Sequence, residues 1–69
     1  MSLLNGIHSY GSTCYVYLST PKEVYALSKA LRDAGIKVYN LIKKSNHIVG
    51  LSAKMSESTA ELHIKGIKN

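Results

Sequence analysis

Sixty-nine residues leave room for one domain, and a chain of this length buries only about 60% of the surface that its unfolded form exposes. Nine Lys and Arg against four Asp and Glu give a formal charge of +5, while a single cysteine, Cys14, excludes an internal disulfide. No 18-residue apolar run is present, and residues 1–11 lack the charged and apolar regions of a secretory leader, so the chain reads as a cytoplasmic protein that does not enter the membrane.

A core this small supplies only about 3–5 kcal/mol, and proteins of this size usually add a disulfide, a metal or a partner. His8, His47, His63 and Cys14 match no zinc-finger spacing, so no metal and no cofactor are expected. A partner or a second copy is the support that remains.

In chain order, residues 1–12 are punctuated by Gly, Ser and Asn and read as an N-terminal arm or short strand, with Leu3, Leu4 and Ile7 able to dock. Residues 13–69 read as a single α+β domain. The run 13–18 is rich in β-branched and aromatic residues, which predicts a strand with Cys14, Val16 and Leu18 on one face and Thr13, Tyr15 and Tyr17 on the other.

Thr20-Pro21-Lys22-Glu23 then opens a helix over 20–35. Thr20 is placed to cap, Pro21 occupies the first turn where its missing N–H costs nothing, and Glu23 meets the positive helix end. Val24, Leu27, Leu31 and Ala34, with Ala30, form one apolar stripe. Gly35 fits the left-handed position after the helix, with Ile36 placed to touch Leu31.

A second strand is predicted over 36–42, with Ile36, Val38 and Ile42 on one face and Lys37, Tyr39 and Leu41 on the other. Strand, helix, strand makes a parallel crossover the default arrangement. Lys43-Lys44-Ser45-Asn46 supplies a turn, with Asn46 expected at positive φ, and residues 47–53 form a third strand antiparallel to the second. Gly50 inside it signals a bulge or a close backbone approach.

The tail carries two conflicting patterns. Ser58-Thr59-Ala60-Glu61 matches a capping box, whereas residues 59–65 alternate strictly, and the alternation favours a fourth strand. The expected architecture is a small βαββ core, one helix on a three- to four-stranded mixed sheet, with a short C-terminal strand or helix.

One helix covers one face of such a sheet. The other face then presents Tyr15, Tyr17, Tyr39 and Leu41, and tyrosine suits a surface that is wet in one state and buried in another. Three occupants compete for it. The terminal segments can fold across it as ordinary core, a second copy or another protein can dock on it, or nucleic acid can stack on the tyrosines with Lys37, Lys43 and Lys44 on phosphates. Scattered lysines and a single arginine, Arg32, weigh against the nucleic-acid alternative.

Catalysis finds little support. Cys14 lies in mid-strand, where a cysteine is ordinarily a small buried hydrophobe, and His47 and His63 read as solvated side chains. Glu23, Asp33, Glu57 and Glu61 are accounted for by helix ends and turns, and Gly35, Gly50 and Gly66 form no phosphate loop. No small-molecule substrate is evident. The expectation is a non-enzymatic binding, adaptor or inhibitor module, of the kind that viruses and mobile elements also carry, acting as a homodimer or on a protein partner.

Overall fold

A computed structural model describes residues 6–68, in the order β1 (Gly6–Tyr10), β2 (Thr13–Tyr17), α1 (Pro21–Asp33), β3 (Val38–Lys44), β4 (His47–Ala53) and α2 (Glu57–Lys68). The four strands make one sheet in the order β1-β2-β4-β3, and the chain is an α+β domain. The N-terminal segment thus contributes a strand. The docking expected of Leu3 and Leu4 lies outside the described residues.

Every neighbouring pair in the sheet is antiparallel, where a mixed sheet was expected. β2 and β3 do run parallel to each other, since each is antiparallel to β4, but β4 is inserted between them. Burial explains the insertion. A central strand is covered on both edges, and β4 carries the buried run Gly50, Leu51, Ser52 and Ala53, whereas β3 ends in two lysines that need water.

Helix α1 begins as its sequence dictates. Thr20 is the N-cap in extended conformation, and its Oγ1 accepts from the Glu23 N–H at 3.3 Å and donates to Glu23 Oε1 at 3.2 Å. At the other end the Ile36 N–H bonds the Leu31 carbonyl at 2.9 Å and the Gly35 N–H bonds that of Arg32 at 3.0 Å, the paired contacts of a Schellman ending. Gly35 takes a φ of 80°, and Ala34, read from the sequence as part of the apolar stripe, is instead the exposed C-cap. Because a side chain at this left-handed position costs about 1–2 kcal/mol, Gly35→Val is expected to lower the melting midpoint by roughly 5–15 °C in a calorimetric scan.

Both hairpins turn on two residues. Gly11 provides the positive φ, 61°, that a type II′ turn needs at its first position. Ser45 and Asn46, at 52° and 69°, together provide the two positive values of a type I′ turn, so the expectation for Asn46 extends to Ser45.

The tail is a helix, and the strand favoured by its alternation is not formed. Ser56, two residues before the predicted cap, accepts from the Thr59 N–H through Oγ at 3.2 Å, and its carbonyl accepts from the Ala60 N–H at 3.0 Å. Width supplies the reason. Four strands about 4.8 Å apart make a sheet broader than one helix of about 10 Å can cover. α1 packs on β4 and β3, so α2 fills the space over β1 and β2, with Ala60 buried and Ile64 and Ile67 against the core. The core is Cys14, Val16, Leu18, Val24, Leu27, Leu31, Leu51, Ala53, Met55 and Ala60, all between the helices and one face of the sheet.

Candidate functional site

Alternation along β2 decides the two sides of the sheet. Cys14 and Val16 are fully buried beneath the helices, so Thr13, Tyr15 and Tyr17 stand on the opposite side. Directly paired residues of antiparallel strands share a face. Gly6, His8 and Tyr10, which pair with Tyr17, Tyr15 and Thr13, therefore join them, as do Gly50 and Ser52 of β4.

The rings meet diagonally across the β1–β2 hairpin. His8 and Tyr17 have centroids 6.0 Å apart at 63°, and Tyr10 and Tyr15 are 5.7 Å apart at 71°, both edge-to-face. Tyr15 and Tyr17 are half-buried by these neighbours, while Tyr10 is 70% exposed at the turn end. Tyr17 also lies against Gly50. A Cβ added there would run into the Val16 carbonyl oxygen and come within 3.1 Å of the Tyr17 ring, which makes Gly50 a close backbone approach.

The expected face residues divide. Tyr15 and Tyr17 come together in this ribbon, while Tyr39 and Leu41 lie on β3 at the far edge of the sheet. Register shifts fall between Val38 and Asn40 and between Ile42 and Lys43, so strict alternation fails along β3. Leu41 pairs with the buried Leu51 and so belongs to the helix side, where it is 36% exposed. Ile42 pairs with Gly50 on the uncovered side, the reverse of the faces assigned by alternation. Tyr39 is the residue skipped by the first shift, and Lys37 Nζ lies 5.8 Å from its ring centroid.

The sequence does not single out His8 and Tyr10, because residues 1–12 read as an N-terminal arm or short strand with no pairing partner assigned. A signal was present: two residues of the type Gly-Ser between alternating segments mark a type II′ hairpin, and Gly11-Ser12 is such a pair.

Charge is unevenly placed. Glu23, Asp33, Glu57 and Glu61 all lie on the two helices, so no strand carries a carboxylate. Lys37, Lys43, Lys44 and Lys54 lie on or beside β3 and β4 and are exposed. A cleft of about 380 Å³ opens between the start of α1 and the β3–β4 turn, lined by Pro21, Lys44, Ser45, His47 and Val49 among others.

Cys14 sits outside all of this. Its side chain has no exposure, and burial, with a smaller contribution from the Glu57 carboxylate, holds the thiol above its ordinary pKa. The protonated, enclosed thiol is a poor nucleophile. Native protein is expected to resist a thiol reagent at pH 7 and to react fully in denaturant. A raised folded-state pKa stabilises the native state only while the unfolded thiol stays protonated, so wild type should lose stability relative to Cys14→Ala as pH climbs past about 8.5, in paired urea melts.

His63 Nδ1 donates to the Thr59 carbonyl oxygen at 3.0 Å within α2. Among the described residues no group of three His, Cys, Asp or Glu side chains is gathered to hold a metal, and no helix is long and apolar enough to cross a membrane. No protein-family model matches the chain, and no curated protein and no solved structure matches it.

Proposed function

We propose that the chain is a small non-enzymatic binding module, cytoplasmic and of the adaptor or inhibitor kind, whose aromatic sheet face receives a protein surface. The observation that carries the reading is that both helices pack on one side of the sheet, leaving His8, Tyr10, Tyr15 and Tyr17 side by side on the other. Ordered rings lose little entropy on docking and bury large area, which is why tyrosine anchors interfaces. The ribbon itself carries no Lys, Arg, Asp or Glu, and Lys43 and Lys44 stand two strands away on β3, which favours protein over phosphate.

The test compares affinity capture by wild type with capture by Tyr15→Ser/Tyr17→Ser and by Tyr10→Ser. The double variant is expected to lose the captured protein while keeping a far-UV spectrum close to wild type, and Tyr10→Ser, at an exposed position, to weaken capture with no effect on the fold. Equal capture by all three would remove the face from function. A double variant that fails to fold would make these tyrosines structural.

A second reading, nucleic-acid binding, is favoured by one observation: the strands carry no carboxylate, while Lys43 and Lys44 lie in β3 and Lys37 just before it. It predicts that a labelled single-stranded oligonucleotide binds, and that affinity falls steeply between 50 and 200 mM salt, by roughly tenfold for two to three phosphate contacts. Lys43→Ala/Lys44→Ala would flatten that slope. Salt-insensitive capture of a protein supports the first reading instead.

A further inference from the structure

The sheet has two edges, β1 and β3, and they are built differently. β3 has the features that keep an edge from pairing: a bulge at Tyr39, Lys43 and Lys44 within it, and Lys37 just before it. β1 has none of them. Its five residues pair with β2 in unbroken register, it contains no proline, Lys, Arg, Asp or Glu, and the first of those four charged types in the whole sequence is Lys22.

Hydrogen-bond polarity shows which groups face outward from β1. A two-residue turn is closed by a hydrogen-bonded pair, here Tyr10 and Thr13, and bonding alternates from there. Gly6, His8 and Tyr10 thus bond to β2, and the N–H and C=O of Ile7 and Ser9 point to the side of β1 that no strand of the described residues pairs. The other side of β2 agrees: the Leu18 N–H bonds the Val49 carbonyl at 2.7 Å, so the even-numbered residues of β2 serve β4.

We propose that a second copy of this chain pairs with β1 in antiparallel fashion, joining two four-stranded sheets into one of eight. A twofold axis at His8 overlaps all five residues, with Ile7 opposite Ser9 of the partner subunit. The twofold pairing matches the outward N–H and C=O of Ile7 and Ser9 with their own counterparts and brings no charged side chain of β1 into the seam. Charge favours β1 over β3 as the edge where a second copy pairs. Each copy is positive, and Lys37, Lys43, Lys44 and Lys54 lie toward the β3 side, so joining through β1 holds those clusters farthest apart. The contact is isologous and closes on itself, and it supplies the support that a thin core lacks. It also sets two aromatic ribbons side by side, although the pairing does not depend on what those ribbons receive.

The experiment is sedimentation equilibrium over a dilution series of wild type, Ser9→Ala and Ser9→Pro, with amide exchange of wild type at low and high concentration. Wild-type mass is expected to rise from 7.6 kDa toward twice that value between about 1 μM and 1 mM, the range of a small interface. Ser9→Ala removes the 2.8 Å hydrogen bond from Ser9 Oγ to Glu57 but keeps the N–H, and is expected to associate as wild type does. Ser9→Pro loses that same bond and in addition an outward N–H, and relative to Ser9→Ala it is expected to weaken association roughly tenfold or more. The Ile7 and Ser9 amides should gain protection as concentration rises, a readout that stands even if the proline variant does not fold. A wild type that stays monomeric at 1 mM overturns the proposal, as does a folded Ser9→Pro that associates normally. Ile7 and Ser9 amides whose exchange ignores concentration overturn it too. Association lost in Tyr15→Ser/Tyr17→Ser yet kept in Ser9→Pro would place the contact on the sheet face and overturn edge pairing.

Discussion

Gly50→Ala is expected to unfold most of the protein at 25 °C. The φ of Gly50 is not in the left-handed region, so the requirement there is for space and not for a special backbone conformation. An added Cβ meets the Val16 carbonyl, a backbone atom of a central strand paired with β1 on one side and β4 on the other. That carbonyl cannot move away from Gly50 without opening the β2–β4 junction. That junction joins the two hairpins, and an isolated hairpin is marginal in water. Parting it costs at least about 3 kcal/mol, close to the whole stability of a domain this size. The far-UV spectrum and the reactivity of Cys14 report the loss. Gly66→Ala is the control, because nothing lies within 4 Å of a Cβ at that helical position. It is expected to fold and to gain up to about 1 kcal/mol from helix propensity. A Gly50→Ala protein melting within a few degrees of wild type would show that the sheet relaxes more freely than its register implies.

Leu27→Ala is the second large loss. Leu27 is wholly buried at the middle of α1, in the same cluster as Val16, Leu31 and Leu51. Removing its three outer carbons costs about 2–5 kcal/mol, the upper part of the range applying where the cavity cannot collapse. Backbone pairing fixes the sheet below, and α2 stands beside α1, which limits collapse. The melting midpoint is expected to fall by about 10–25 °C, and the urea midpoint with it while the slope is kept. Leu62→Ala, at a site 68% exposed, is expected to change the midpoint little. The ratio of the two losses measures how much of the fold rests on the single layer between helices and sheet.

Both predictions follow from a one-sided architecture, which is also the basis of the functional proposal. A sheet covered by two helices on one face has its core there, and the described residues place no helix on the other. His8, Tyr10, Tyr15 and Tyr17 stand there in contact with one another, which distinguishes them from Tyr25, an exposed tyrosine on α1. Polar and aromatic side chains in that position tolerate water, and on the proposed reading their ring surfaces are what a partner would bury.

Local signals by themselves determined α1, β2, β4 and the β3–β4 turn. In each, the determining chemistry is contained within a few residues: the Thr20 cap with Pro21, the Schellman glycine at Gly35, the alternation about Cys14 and Val16, and the polar pair Ser45-Asn46. Only the tertiary structure decided the rest. Residues 59–65 alternate like a strand, but the broad sheet needs a second covering helix, and Ser56 begins it. Leu41 and Ile42 exchange faces because the register shift at Tyr39 breaks the period of two in β3, and such a shift depends on the partner strand. β4 takes the centre because it is the strand most fully buried, a comparison among strands that no one segment contains. The aromatic ribbon belongs to this second class: Tyr15 and Tyr17 were legible from β2, yet His8 and Tyr10 join them only through pairing across the Gly11-Ser12 turn.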